Sequence, residues 1–347
     1  MSDREKFAAD ELAIILSHFD IGSISAVRDY PRGSRKAPKL LIVAEKGEFL
    51  LKRRAKGKDD PFKVAFAHAL QNFLAAQHFP LPHLIGTRKD NNSMVQHEGH
   101  VYELFEYLHG DAYDNSLEAT LDAGRILAHY HILVKDYKPE FEPAQGSYHQ
   151  APSIFSAIDQ IPATFERLQS PHDTDSRQFG STLNTLREAY TDAAEKVDGI
   201  GLNQWPVQIV HCDMHPGNVL FRKRKVIAVI DYDAARIQQR VIDLANGALQ
   251  FSILGGSNDP ATWPDYLDET RFKRFVRGYE QLSAVSPAEL QAIPWLMIEA
   301  IVAESVLPVA ATGFFGRMEG FGFLQMIERK IRWVRRHADQ LISRISA

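Results

Sequence analysis

Hydrophobic and polar positions recur with two different periods along this chain, and the change of period divides it. Residues 5–19 place Phe7, Leu12, Ile15, Leu16 and Phe19 at helical spacing. Three β-like runs follow. "SISAVRDY" leads into the loop "PRGSRKAP", and "KLLIVAE" and "EFLLKRR" flank a hairpin signal at Lys46-Gly47. Residues 62–78 return to the helical period, and "LPHLIGTR", "NNSMVQHEG" and "HVYELFEYL" predict strands. Beyond residue 108 the helical period dominates, with helices expected at 116–136, 151–169, 176–197, 240–254, 269–283, 287–311 and 322–345. Short strands are expected at 207–210, 218–221 and 226–230. Residues 140–150 and 255–265, rich in Pro, Gly, Asn or Ser, read as loops. The pattern predicts an α+β protein of two lobes: a small strand-rich lobe at 1–108 and a larger, mostly helical lobe at 109–347.

Composition excludes more than it selects. The 347 residues are 45% apolar and 24% charged, ordinary for a folded chain, and long enough for two lobes with a sizeable core. A net charge of −4 gives no basic field for nucleic acid. The local basic runs Lys52–Lys58, Arg222–Lys225 and Arg329–Arg336 read as solvated faces. The single cysteine, Cys212, rules out an internal disulfide framework and speaks against a cysteine zinc site. The stretch "MSDREKFAADEL" lacks the apolar core of a signal peptide. Ile293–Ala311 is interrupted by Glu299, Glu304 and Pro308, so it reads as a buried helix, not a membrane span. A cytoplasmic protein with no membrane or nucleic-acid partner is the expectation.

The chemistry concentrates in "HCDMHPGN", His211 to Asn218, and in "VIAVIDYD", which ends in Asp231 and Asp233. Asp213 and Asn218 are five residues apart, and Asp231 follows thirteen residues after Asn218 at the end of an apolar strand. The protein-kinase catalytic loop has the spacing H-R-D-L-x-x-x-N, completed by an aspartate on a following strand. Phosphoryl transfer asks the protein mainly to position the transferred group and neutralise its charge. Asn218 and Asp231 supply the oxygen ligands that Mg²⁺ or Mn²⁺ prefers, and Asp213 a base for the acceptor hydroxyl. His211 and His215 read as supports of the loop, Asp243 as an acid that holds it, and Cys212 as inert. Asp233 is either a substrate contact or a turn former.

With both histidines in place, H-x-D-x-H-x-x-N followed by I-D resembles the aminoglycoside phosphotransferase and choline kinase-like family. That group includes ethanolamine kinases, the second type of homoserine kinase and a bacterial stress-response protein kinase. Other stretches extend the resemblance over about four-fifths of the chain. "RGSRKAP", with Gly33 and Ser34, stands where the family has its nucleotide-covering loop. Lys52 stands where the third strand carries the phosphate-binding lysine. "ELFEYLHG", with Glu106, Tyr107 and Leu108, resembles the hinge that meets adenine. "GRILAHYH" resembles the Leu-Ala-x-x-His helix and "VIDLANG" the Asp-Leu-Ala segment. "FVRGYEQLSAVSPAELQAIPWL" resembles the helical substrate region of the homoserine-kinase and spore-coat branches.

The resemblance implies a protein-kinase-like fold, ATP and Mg²⁺ (or Mn²⁺) as cofactors, and a small-molecule hydroxyl acceptor such as an amino alcohol or amino acid. A protein Ser/Thr kinase and an inactive nucleotide-binding protein are the alternatives. The second is motivated by one departure. The lysine of this fold normally pairs with a glutamate on the following helix, and residues 61–82 contain no acid. Either phosphate and solvent alone hold Lys52, or a carboxylate arrives from elsewhere; without nucleotide Lys52 is expected to lie by Asp231, with His68 facing the same opening. Gly33 also stands alone, without a full G-x-G-x-x-G, and no Walker motif is present.

Overall fold

The computed structural model describes residues 4–168, 176–257 and 259–346. In chain order the elements are α1 (Ala9–Ser17), β1 (Ile24–Asp29), β2 (Lys39–Ala44), β3 (Gly47–Arg53), α2 (Pro61–Ala76), β4 (Val95–His97), β5 (His100–Glu106), α3 (Leu117–Val134), α4 (Pro152–Arg167) and α5 (Ser176–Ile200). They continue as β6 (Val207–Val210), β7 (Val219–Arg222), β8 (Lys225–Val229), β9 (Arg236–Gln239), α6 (Arg240–Ser252), α7 (Glu269–Glu280), α8 (Pro287–Thr312), β10 (Phe314–Phe315), β11 (Met318–Glu319) and α9 (Gly320–Ser346). Of the helix expected at 151–169, residue 169 lies outside the described residues. The chain forms two compact units. One holds the stretch up to Ala112 with Asp136–Ala144 and Asn218–Ala235; the other holds Tyr113–Lys135, Gln145–Gly217 and the chain from Arg236.

The first unit is built on an antiparallel sheet in the order β1-β2-β3-β5-β4. Strand alternation sorts its side chains. Leu40, Ile42, Phe49, Leu51, Tyr102 and Leu104 face one way and form a core with Ile15 and Leu16 of α1. Arg53 and Tyr102 both bond the Glu11 carboxylate and pin α1 to that face. Lys39, Leu41, Leu50, Lys52, Glu103 and Phe105 therefore face the other way. The β2–β3 turn is Glu45-Lys46, with Ala44 opposite Gly47. Asp60 caps α2, and Pro61 occupies its first turn, where no N–H is needed. "LPHLIGTR" does not become a strand. Pro80 and Pro82 remove donors, and among described residues only the bridge Leu84↔Phe105 forms. The β7–β8 hairpin turns through Lys223 and Arg224, both at positive φ, as a two-residue turn of matched twist requires.

The second unit is mostly helical. Gly124 on α3 and Gly278 on α7 let the two backbones meet. A Cβ at Gly124 would run into the Phe275 carbonyl, and one at Gly278 into that of Leu121. This close approach sets His131, one turn from the end of α3, against Tyr279. By length and composition α8 could cross a membrane, but 78% of its most apolar window is buried inside the protein. β6 pairs with β9, whose polar "RIQQ" gave no strand signal, and the β10–β11 hairpin was equally silent.

The basic runs divide. Arg222–Lys225 is exposed, as a solvated run should be. Arg53 and Arg54 are buried and ion-paired, and Lys330 is fully buried. Lys330 donates to the carbonyls of Leu254, Pro264 and Tyr266, and burial lowers its pKa to about 8. Compensation by fixed acceptors is what allows those cations inside.

Candidate active site

In the first unit, register brings three charged residues into one row. Lys39 lies directly opposite Lys52, and Lys52 directly opposite Glu103, so all three project from the same face. Lys52 Nζ is 3.4 Å from Glu103 Oε2 and 3.8 Å from Asp233 Oδ2. This corrects the expectation that Lys52 rests on Asp231 for want of an acid. The glutamate comes from β5 instead of the following helix. His68 is corrected with it: the ring is buried behind Glu103, with Nε2 2.7 Å from the carboxylate and Nδ1 2.8 Å from Ser93 Oγ. Its two ring nitrogens are thus both engaged, one by a carboxylate and one by a hydroxyl.

Glu103 is the hub of this network. It also accepts from Arg54 at 2.7 Å, and Arg54 makes a two-pronged bond to Asp233 at 2.7 and 2.9 Å. Asp233, considered as a substrate contact, is thus held by Arg54. Burial works against ionisation of Glu103, but Lys52, His68 and Arg54 hold its pKa well below the glutamate range. Burial likewise opposes the charge on Lys52, and Glu103 and Asp233 raise its pKa nonetheless.

Two residues along the strands, Leu41, Leu50 and Phe105 form a half-buried apolar row on the same face. Gly33 and Ser34 sit in the exposed β1–β2 loop, whose carbonyls at Pro31, Gly33 and Ser34 accept from Arg4. At the end of β5 and just beyond it, Glu106 N–H donates to the His83 carbonyl and Tyr107 N–H to that of Glu48. Among the described residues, Leu108 N–H donates to no backbone acceptor.

Asn218 and Asp231 flank the same end of the β7–β8 hairpin. Val219 is opposite Val229, and Ile230 N–H donates to the Asn218 carbonyl at 2.9 Å. Asp231 has φ +68°, a left-handed conformation that aspartate tolerates better than most residues. The donor set is one carboxylate and one carboxamide oxygen, the chemistry that suits a hard divalent cation.

In the second unit, the loop from His211 to Gly217 hangs from one buried acid. The N–H groups of His211 and Cys212 donate to the two oxygens of Asp243 at 2.7 and 3.0 Å. His131 Nε2 approaches the same carboxylate at 3.1 Å, and its Nδ1 is 2.8 Å from Tyr279 Oη. Burial would raise the pKa of Asp243, but His131 and His211 keep it low. Cys212, at φ +61°, turns the chain sharply just before Asp213, and burial pushes its thiol pKa up, leaving it a poor nucleophile. Asp213 itself is partly exposed. Its N–H donates to His211 Nδ1 at 3.3 Å, and His215 Nε2 lies 3.8 Å from its carboxylate. His215 also takes the Gly217 N–H at 3.0 Å, and a Cβ at Gly217 would come within 2.7 Å of the ring.

Five participants escaped the sequence reading: Glu103, Arg54, Lys39, His131 and Glu304. His131 had a signal, the Leu-Ala-x-x-His pattern, without its partner. Glu304 on α8 has its carboxyl pushed up to about 7, by burial first and further by the charge of Asp213, against hydrogen bonds from Asn246 and Gln250.

Fold and motif together define a kinase-like phosphotransferase of the α+β class: an antiparallel sheet bearing a lysine–glutamate pair, and a mostly helical region bearing H-x-D-x-H-x-x-N. Residues 31–290 match the phosphotransferase enzyme family, aminoglycoside phosphotransferase-like, and the chain belongs to it. A homoserine kinase of Acidiphilium cryptum is 24% identical over 296 residues, 83% of this chain and 81% of its own length. Among solved structures, the aminoglycoside phosphotransferase of Alicyclobacillus acidocaldarius matches 98% of each chain at 14% identity, TM-score 0.65. A microcompartment-associated aminopropanol kinase matches 94% of this chain and 96% of its own at 14% identity, TM-score 0.64. An amicoumacin kinase in complex with AMP-PNP, Ca²⁺ and Ami matches 95% of this chain and 92% of its own, at 14% identity and TM-score 0.63.

Proposed function

We propose that the chain transfers the γ-phosphoryl group of ATP to the hydroxyl of a small amino-bearing metabolite, of the homoserine or amino-alcohol class. The observation that carries the acceptor class is the similarity to a homoserine kinase over four-fifths of both chains. In this reading residues 1–108 bind nucleotide, and 109–347 supply the catalytic loop and the acceptor side. The row of Lys52 and Glu103 takes the phosphates, and the adjoining apolar row of Leu41, Leu50 and Phe105 takes the adenine ring. Asn218 and Asp231 would hold Mg²⁺ or Mn²⁺, which supplies charge neutralisation at the phosphates. Asp213 accepts the hydroxyl proton as the oxygen attacks the γ-phosphorus and the bond from phosphorus to the β–γ bridging oxygen breaks, with ADP as the leaving group. Glu304, within the electrostatic reach of Asp213, is the acid available to an acceptor's amino group. The lack of a helix glutamate, which favoured an inactive protein, loses its force because Glu103 supplies the carboxylate.

The test is incubation with ATP, a divalent cation and paired acceptors, amino alcohols and hydroxy amino acids beside their des-amino analogues. ADP release is expected only with amino-bearing hydroxyl compounds, and it should be lost on chelation and in Asp231→Ala. Label transferred to protein would favour a protein kinase, and nucleotide binding without turnover an inactive protein. Either result overturns the proposal.

The hinge reading has its own check. Glu106 and Tyr107 already donate their N–H groups internally, so Leu108 N–H is the donor left for the base edge. In a nucleotide-bound structure the adenine is expected within about 3.2 Å of that nitrogen. A base bound away from the hinge would refute it.

A further inference from the structure

We infer that Lys39 is a second phosphate-contacting lysine, working beside Lys52 across the β2–β3 ladder. The inference rests on the nucleotide reading of the sheet face and goes beyond it, because neither the family motif nor any quoted stretch assigns Lys39 a role.

The first observation is the register. Lys39 and Lys52 are directly opposite, which sets their Cβ atoms about 4.5–5.5 Å apart and their side chains on one face. Like charges so placed destabilise a sheet, so the pairing makes physical sense when something anionic fills the face. The second observation is asymmetry. Lys52 has Glu103 and Asp233 as partners. Among the described residues the Lys39 ammonium has no ion pair and no hydrogen bond, although the residue is partly buried. An amine drawn from water without an acceptor is unfavourable, and burial first, then the charge of Lys52, lowers the pKa of Lys39 against the opposing charges of Asp231 and Glu103. The third observation is the loop. Gly33 has φ +82°, and a Cβ there would sit 3.0 Å from Lys39 Nζ. The absence of a side chain at Gly33 leaves room for the ammonium close beneath the β1–β2 loop.

Together these make a cationic patch two strands wide, with neighbouring strands about 4.8 Å apart, in which Lys52 is ion-paired within 4 Å and Lys39, among the described residues, is not. The matching ligand has several linked anionic groups. A di- or triphosphate fits, and a monophosphate would engage one lysine alone.

Binding of AMP, ADP and ATP to Lys39→Met, Lys39→Arg and Lys52→Met, measured by calorimetry with divalent cation present, tests this. Methionine keeps the stem and removes the charge, and loss of a like-charge pair should leave the melting temperature unchanged or higher. Lys39→Met is expected to weaken ADP and ATP by about 10–100-fold, the range of one hydrogen bond to a charged group, while AMP changes by less than about threefold. Lys39→Arg should recover most of the loss. If Lys39→Met binds ATP like the parent while Lys52→Met does not, Lys39 is a solvated strand lysine and the inference fails alone. If neither substitution affects nucleotide, the nucleotide reading of this face fails, and the inference with it.

Discussion

Asp213→Asn is expected to lower turnover by roughly 10²–10⁴-fold, the range for loss of a positioned acid or base, with ATP affinity within about twofold of the parent. The substitution keeps the size and one acceptor oxygen but removes the carboxylate that can take a proton. The backbone around it should not move, because the loop is suspended elsewhere: His211 and Cys212 donate to Asp243, and Gly217 to His215. Asp213 is partly exposed, so its replacement leaves little buried polarity uncompensated and the melting temperature should hold. Steady-state and single-turnover rates with the identified acceptor make the measurement. A variant within threefold of the parent rate would remove Asp213 from the proton-handling role. Asp243→Asn is the contrasting case. It disturbs a fully buried carboxylate shared by two backbone N–H groups and His131, so it should lower stability and turnover together.

Glu103→Ala is expected to be the most destabilising single change in the first unit, by about 3–5 kcal/mol, because removing one partner of a buried ionic cluster strands the others. Glu103 is fully buried and serves Lys52, Arg54 and His68 at once. Asp233 remains for Arg54 and Lys52, so the loss should fall toward the lower end. Denaturant unfolding followed by circular dichroism measures it, and the Michaelis constant for ATP should rise in parallel as Lys52 loses its orienting partner. The pH dependence has a definite sign. The folded-state pKa of Glu103 lies well below its ordinary value, so its contribution is complete above the normal glutamate range and is lost as pH falls below it, through the depressed value. Glu103→Gln should lack that acid-labile portion. Stability and ATP affinity equal to the parent would mean that Asp233 alone sets Lys52.

Helix positions were legible in the chain because their determinants are local. Apolar spacing, Asp60 before Pro61, and Ser286 with Glu289 as a reciprocal cap on α8 all lie within one or two turns of the residues they order. The same holds for the spacing of Asp213, Asn218 and Asp231. A short loop and a hairpin joined by Lys223-Arg224 need no distant partner to bring Asn218 beside the strand end that carries Asp231.

What pairs with Lys52 was not legible. It follows from β5 lying next to β3 in the sheet and from a register that sets Glu103 opposite Lys52, across about fifty residues of chain. A one-residue slip would send Glu103 to the core face and bring Tyr102 or Leu104 to the lysine. No local pattern in "HVYELFEYL" records that choice, since alternation gives two faces without saying what stands opposite either. The same limit hid Lys39, which becomes Lys52's neighbour only through strand pairing. Asp243 was legible as an acid that holds the catalytic loop, but that it does so through the N–H groups of His211 and Cys212, some thirty residues earlier, and shares its carboxylate with His131, was not. The sequence by itself determined which chemical groups the protein has and the local elements that carry them. Tertiary structure decided which charges face one another, because the energy of a buried ion depends on its neighbours in space and not on their order along the chain.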